Sequence, residues 1–393
     1  MPIRPWKSWG KAMKVIRFGI IGCGLMGREF ASAAGRWMHL QDMPARPEIV
    51  AVCDTNPALM DWFSDHVPSV AQKTADYREL LANPDVDAIY CAVPHVLHAQ
   101  IYPEIIASGK ALLGEKPFGM DRAQNAAIMA ALKDGPGQLV RCSSEMPFYP
   151  GAQKVIDFAR SGALGDILEV ECAFLHSSDI NPDKVINWKR MIGVNGEYGC
   201  MGDLGMHVCH VPLRMGWRPG TVNANLVKRV TTRPDGKGGR VPCETWDNAT
   251  ITGMVGEGAD AFPLVLKTWR IAPGESNTWS IRVLGMKGSA EFSTKNPRQW
   301  RFMRYEPGGA QCWQVEDLGY QSLFPAITGG IFEFGFTDAI QQMWAAFIDE
   351  LAGGDARGFT CATPEEAAAH HAILTAALTS GKEGRVVEVE YPT

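Results

Sequence analysis

Residues 15–35 read VIRFGIIGCGLMGREFASAAG. An apolar, β-type run, Val15–Ile21, leads into glycines spaced G-x-G-x-x-G (Gly22, Gly24, Gly27) and then into a helical pattern ending near Gly35. With 41 glycines in 393 residues the spacing alone is weak, but between a strand and a helix it has a physical meaning. Gly22 can take the tight turn. Gly24 lets a pyrophosphate approach the backbone, and Gly27 lets the helix pack close to the strand. The helix start, with Leu25 and Met26, offers free N–H groups and a positive dipole end to phosphates.

The same rhythm continues outward. Strand candidates are Val15–Ile21, Glu48–Cys53, Val86–Val93, Ala111–Gly114 and Gln138–Cys142. Helix candidates fall near Leu25–Gly35, Pro57–His66, Asp76–Leu81, Leu97–Ser108 and Asp121–Lys133. Apolar strands alternating with helices predict a parallel sheet covered on both faces, the doubly wound Rossmann plan. Asp54 ends the second strand, where a carboxylate hydrogen-bonds adenosine ribose hydroxyls and repels a 2′-phosphate. Thr55 and Asn56 follow it, with no Arg or Lys, so NAD is expected and NADP less so. The insertion GRWMHLQDMPARPE (35–48) lengthens the spacing before that strand.

After Pro150 the pattern changes. A helix, Gly151–Ser161, precedes an alternating strand, Ile167–His176. Further strand-like runs follow at Thr221–Thr232, Asn248–Val255, Phe262–Ile271, Trp279–Leu284 and Ser289–Phe292, with few helices between them. This predicts a large, mostly antiparallel sheet in an α+β second domain. Two helices close the chain, Phe336–Leu351 and Pro364–Ser380, the latter capped by Thr363 with acids in its first turn. The division expected is an arm over 1–14, a nucleotide-binding domain over 15–145 and a second domain over 146–393, its final helices packing back on the first.

Net charge is -5 and no Lys/Arg run stands out, which argues against nucleic acid as a partner. No run approaches the roughly 20 apolar residues of a membrane span. The basic N-terminus leads into a short apolar run ending in glycines rather than a cleavage site, so no signal peptide is expected. Ten cysteines show no paired framework, and Cys53, Cys91, Cys142 and Cys172 sit in apolar strand-like runs. That usage suits a reducing, cytoplasmic setting.

Two further pieces lie at strand ends, CAVPHVLHA (91–99) and GEKPFG (114–119), where ligands of open α/β sheets bind. Lys116 is thereby placed near the reacting end of a cofactor. The stretch GCMGDLGMHVCH (199–210) holds Asp203 and His207 four apart, on one helical face. His207, Cys209 and His210 raise the question of a metal, but Cys209 points away from the other two and no convergent partner set appears downstream. No metal is expected. The plainer alternative is a helix capped by Asp203 with core histidines. Pro212 is expected to kink or end this helix, and Gly202 and Gly205 to let a ligand or nicotinamide approach.

The pieces GIIGCGLMG, VCDTN, AVPHVLHA, GEKPFG, SGALGDI and GDLGMHVCH, in this order over about the first 215 residues, resemble the glucose–fructose oxidoreductase, inositol dehydrogenase and rhizopine-catabolism (Gfo/Idh/MocA) family. The resemblance implies a Rossmann domain, a second domain whose large sheet forms the contact of a homodimer or homotetramer, and NAD(P)-linked chemistry on secondary alcohols of sugars and cyclitols. Lys116 matches the lysine of the family's E-K-P, with a cis bond at Lys116–Pro117 implied. Asp203 and His207 match its D-x-x-x-H. The expected roles are His207 as general base and Lys116 as electrostatic stabiliser and relay, or the reverse. Asp203 would orient the imidazole or bind a second hydroxyl. Cofactor contacts are expected from Gly22, Gly24, Leu25, Met26, Gly27, Asp54, Thr55, Pro94, His95, His98, Glu115 and Lys116. Substrate contacts are expected from Tyr149, Trp188, Lys189, Asp203, His207 and His210. The chain departs from the family at His95 (often asparagine), at PFYP (147–150, often an Arg–aromatic pair) and at His210 (often aspartate). Three activities stay open: a sugar, glycoside or cyclitol dehydrogenase, an NAD-dependent glycosidase or lyase working through a transient keto-sugar, and a non-catalytic dinucleotide sensor.

Overall fold

The computed structural model describes residues 13–328 and 332–392. Most of the arm expected over 1–14 lies outside these, and Lys14 already belongs to the first strand. The first layer is a six-stranded parallel sheet of β1 (Lys14–Ile21), β2 (Ala45–Cys53), β3 (Gln72–Thr74), β4 (Ala88–Cys91), β5 (Ala111–Gly114) and β6 (Val140–Cys142), in the order β3-β2-β1-β4-β5-β6. This is the doubly wound order, with its switch point between β1 and β4. The helices α1 (Leu25–Gly35), α2 (Pro57–His66), α3 (Tyr77–Ala82), α4 (His98–Ala107) and α5 (Arg122–Asp134) connect the strands.

α6 (Pro150–Arg160) leads into the second sheet. Its strands are β7 (Ile167–Leu175), β8 (Pro219–Val227), β11 (Asn248–Val255), β12 (Phe262–Trp269), β13 (Thr278–Gly285), β14 (Gly288–Ser293), β15 (Gln299–Arg304), β16 (Gln314–Asp317) and β17 (Val387–Glu388). The order is β16-β15-β14-β13-β7-β12-β11-β8-β17, antiparallel except for the pair β7–β12. The run expected as one strand over Thr221–Thr232 is split. β8 stops at Val227, and β9 (Thr232–Pro234) pairs instead with β10 (Arg240–Pro242) in a separate hairpin.

Between β7 and β8 lie α7 (Ile192–Asn195) and α8 (Cys200–Arg214). Every residue from Cys200 to Leu213 is buried. Pro212 does not end α8, which runs on to Arg214.

The closing helices, α9 (Phe336–Leu351) and α10 (Pro364–Glu383), join the two layers. Trp344 of α9 stacks on Phe30 of α1 at 3.6 Å between ring centroids, and both rings are fully buried. The 35–48 insertion is a docking surface for the same segment: Gln41 N–H donates to Pro325 O at 2.7 Å, and Arg36 pairs with Asp338 at 2.7 Å. Among the described residues no helix is long and apolar enough to cross a membrane. All ten cysteines are free, and nine are buried.

Candidate active site

A cleft of about 1160 Å³ runs along the C-terminal ends of β1, β2, β4 and β5 and continues to α8 and the end of β12. At one end it is lined by Gly22, Gly24, Leu25, Met26, Asp54 and Thr55. Gly22 has φ +99°, and a Cβ there would meet Ala92 O at 2.5 Å, so the turn requires glycine. α1 has no side-chain cap, and a Cβ on its N-cap residue Gly24 would meet nothing within 4 Å. First-turn N–H groups of α1 therefore face open space, which fits a pyrophosphate. Gly27 is absent from the lining. A Cβ there would stand 2.4 Å from Gly22 O, so its role is the close packing of helix on turn. Asp54 accepts from Cys23 N–H and from Asn56 N–H, both at 2.8 Å, which fixes its carboxylate at the rim.

Pro94, His95, Glu115 and Lys116 line the middle of the cleft. His98 is not in it. Fully buried, it bridges Val93 O at 3.1 Å and Gly119 N–H, and so holds the loops that carry Pro94 and Lys116. Glu115 accepts from Tyr90 O–H at 2.7 Å. The Lys116–Pro117 peptide is cis, and Pro117 O faces His371 Nε2 of α10 at 2.8 Å.

The far end gathers charge. Lys116 Nζ donates to Asp203 Oδ1 at 2.9 Å and to Asp203 O at 2.7 Å. Lys189 Nζ reaches Oδ2 at 3.0 Å, and Arg270 Nη1 pairs with the same oxygen. Arg270 in turn donates Nε to Asp179 at 2.9 Å, Arg190 pairs with Asp179 at 3.0 Å, and Arg190 pairs with Asp247 at 2.7 Å. Burial opposes ionisation of Asp203, but Lys116, Lys189 and Arg270 outweigh it and hold its carboxyl well below the usual range. Burial also favours the neutral form of Lys116, yet Asp203 and Glu115 raise it above the ordinary lysine value. Lys189 goes the other way: burial outweighs Asp203 and lowers it to about 8.

His207 lines the cleft one turn along α8. Burial, reinforced by Lys116, pushes its imidazole well below the ordinary value, so it is neutral. Asp203 makes no hydrogen bond to it, because three cations outcompete a neutral ring for that carboxylate. The carboxyl facing His207 Nδ1 is Glu145, at 3.7 Å. Glu145, His176 and Arg270 all line the cleft, and the sequence reading missed all three.

Trp188 lines the cleft, edge-on to His95 at 4.9 Å between ring centroids. Two expected substrate contacts lie elsewhere. Tyr149 is buried among Phe292 and Phe334. His210, on the next turn of α8, is fully buried beside Phe359 and Arg214. Gly205 admits no ligand: a Cβ there would meet His370 Nε2 of α10 at 2.5 Å, so the close approach is between helices. Asp203 stands inside α8, whose N-cap is Gly199. Among the described residues no group of three His, Cys, Asp or Glu side chains is arranged to hold a metal.

Comparison with known proteins places this geometry. A family model described as "Oxidoreductase family, NAD-binding Rossmann fold" matches residues 16–141. The levoglucosan dehydrogenase of Pseudarthrobacter phenanthrenivorans is 25% identical over 299 residues, 72% of this chain and 74% of that protein. A glycosyl hydrolase family 109 protein of Shewanella baltica is 28% identical over 185 residues, 42% of this chain and 36% of that protein. A solved levoglucosan dehydrogenase in complex with NADH and L-sorbose superposes with a TM-score of 0.86 at 21% identity, covering 97% of this chain and all of the other; the likeness is one of fold. Residues 16–141 thus match the NAD-binding Rossmann domain of the Gfo/Idh/MocA oxidoreductases.

Proposed function

We propose that the enzyme oxidises a ring secondary alcohol of a sugar, glycoside or cyclitol, with NAD as hydride acceptor. The carrying observation is one continuous cleft lined by Gly22, Gly24, Leu25, Met26 and Asp54 at one end and by Lys116, Asp203 and His207 at the other. NAD, when bound, supplies the acceptor for the two electrons of the alcohol carbon. His207, neutral in its buried setting, takes the hydroxyl proton. Lys116, charged and held by Asp203, stabilises the developing alkoxide. Trp188 covers the apolar face of a sugar ring, while Lys189 and Arg270 bind its hydroxyls. Asp54, already fixed by two backbone N–H groups, favours NAD over NADP.

The test is NADH absorbance across a panel of levoglucosan, L-sorbose, free sugars, glycosides and inositols. Lys116→Met and His207→Ala are each expected to slow oxidation by about 10²- to 10⁴-fold. If both leave the rate unchanged, these assignments are wrong. Similarity to a glycosyl hydrolase family 109 protein keeps one rival alive, cleavage of a glycoside with the cofactor regenerated in place. A sugar product formed without net NADH would establish it. Tight NAD binding without turnover of any polyol or glycoside would instead favour a sensor.

We also propose that copies associate through the outer face of the second sheet. Thr252 and Met254 are exposed there, and Trp269 is half-exposed towards the other end of the same strand pair. Light scattering that returns a monomer at micromolar concentration would overturn this.

A further inference from the structure

This inference rests on the oxidation proposed above. Glu145 lies between β6 and α6, with its carboxyl on the cleft wall. Its Oε2 stands 3.7 Å from His207 Nδ1, and the two side chains are only 7% and 4% exposed. That ring nitrogen is shut away from solvent and has no hydrogen-bonding partner among the described residues. The cations nearby are already engaged: Lys116, Lys189 and Arg270 all hold Asp203. A buried base nitrogen aimed at a buried carboxyl with no cation of its own is a hydrogen bond that a small side-chain rotation completes.

We propose that Glu145 is the proton acceptor behind His207. In the oxidation the substrate O–H bond breaks as a proton joins His207 Nε2, and the Nδ1–H bond breaks as its proton joins Glu145 Oε2. The electron pair of the substrate C–H bond leaves to the oxidised cofactor that the proposed activity supplies. The products are a carbonyl, a neutral His207 of the opposite tautomer and a protonated Glu145, which returns its proton to cleft water. Burial, then Glu115, raises the Glu145 carboxyl to about 7, while Lys116 and a backbone N–H pull it back. Tyr90 and Tyr149 also face it, both un-ionised because burial raises them. His207 faces Lys116, Asp203, His176 and His210, and burial with Lys116 keeps it from retaining the proton. Glu145 is therefore the better resting place of the pair.

Infrared titration of the protein with no substrate present tests the pair directly. Between about pH 5 and about pH 9, a protonated-carboxyl C=O band is expected with a midpoint near 7. It should vanish in Glu145→Gln and shift its midpoint in His207→Phe. In turnover, Glu145→Gln should lower kcat/KM about ten- to a hundredfold and remove the acidic limb of its pH profile. Glu145→Asp should restore part of that limb, and NAD affinity should be unchanged. A band that survives Glu145→Gln, or a Glu145→Gln enzyme that keeps both rate and acidic limb, overturns the proposal. If Glu145→Gln fails to fold, the His207→Phe band shift and the Glu145→Asp profile decide. If the wild type oxidises no polyol, the proposed function fails, while the infrared titration still decides whether Glu145 and His207 share a proton.

Discussion

Lys189 gives the sharpest test of the charge arrangement around Asp203. Of the three cations on that carboxylate, Lys116 and Arg270 are raised above their ordinary values, whereas Lys189 is lowered to about 8. Raising the pH through 8 thus removes one cation from Asp203 and leaves the other two. A hydrogen bond to a charged group contributes about 1.5–3 kcal/mol and a neutral one about 0.5–1.5. The difference, about 1–1.5 kcal/mol, is about five- to tenfold in kcat/KM. The assay is NADH formation against pH with a polyol the wild type accepts. A basic limb near 8 is expected in the wild type and not in Lys189→Arg, whose guanidinium stays charged.

Stability should move in the opposite direction. A lysine at about 8 in the folded chain and at its ordinary 10.5 in the unfolded one leaves the unfolded chain binding more protons across that window. Stability therefore rises with pH there, by about 3 kcal/mol at most. The urea midpoint of the wild type relative to Lys189→Arg should climb while activity falls. A joint fall of both would mean alkaline unfolding rather than titration of Lys189. A basic limb retained in Lys189→Arg would refute the assignment.

Three further outcomes follow from named contacts. Asp54→Ala frees the N–H groups of Cys23 and Asn56 and removes the charge that excludes a 2′-phosphate, so the preference for NAD over NADP should narrow at least about tenfold; an unchanged ratio would place discrimination elsewhere. Gly27→Ala sets a Cβ 2.4 Å from Gly22 O, a backbone atom that cannot yield, and should weaken NAD binding by about 1–3 kcal/mol in calorimetry; wild-type affinity would show that helix and turn separate freely. Arg190→Met takes its cation from buried Asp247, while Asp179 keeps Arg270 and Lys184, and should cost about 3–5 kcal/mol in chemical unfolding; a loss below about 1 kcal/mol would mean that the network contributes little to folding.

The strand–glycine–helix start and the apolar strands were legible because period and punctuation are local. α1, α2, β11 and α9 fall at the expected residues. β3, a three-residue polar edge strand, carries no periodic signal, and neither does the two-residue β17. β15 does alternate, with Trp300 and Phe302 two apart, so its signal is present in the sequence. Lys116, Asp203 and His207, which line one cleft, stood out in the sequence because short motifs carry them. Arg270 was not, because it meets Asp203 across 67 residues of sequence. Its available signal was a charged residue directly after the alternating strand β12. Glu145 lies between β6 and α6 in no motif, and only the packing of α8 brings it to His207. Tyr149 and His210 were misplaced for the same reason: the sequence places each near the substrate end but does not say which way its side chain turns.

The cations on Asp203 come from different parts of the fold, and this changes what its substitution would mean. Lys116 reaches it from the end of the first sheet, Lys189 from the loop before α7, and Arg270 from the end of β12 in the second sheet. A carboxylate held this far below its ordinary range does not exchange protons near neutral pH, so it is no base. It is instead the point where the two sheets are tied at the far end of the cleft. Behind Arg270 the signs alternate through Asp179, Arg190 and Asp247 to the start of β11, which fixes that side to the sheet. Asp203→Asn should therefore lower kcat/KM by misaligning Lys116, with the acidic limb left near 7. If the acidic limb disappears while the maximal rate survives, Asp203 is a titrating member of the proton path and the alignment reading fails.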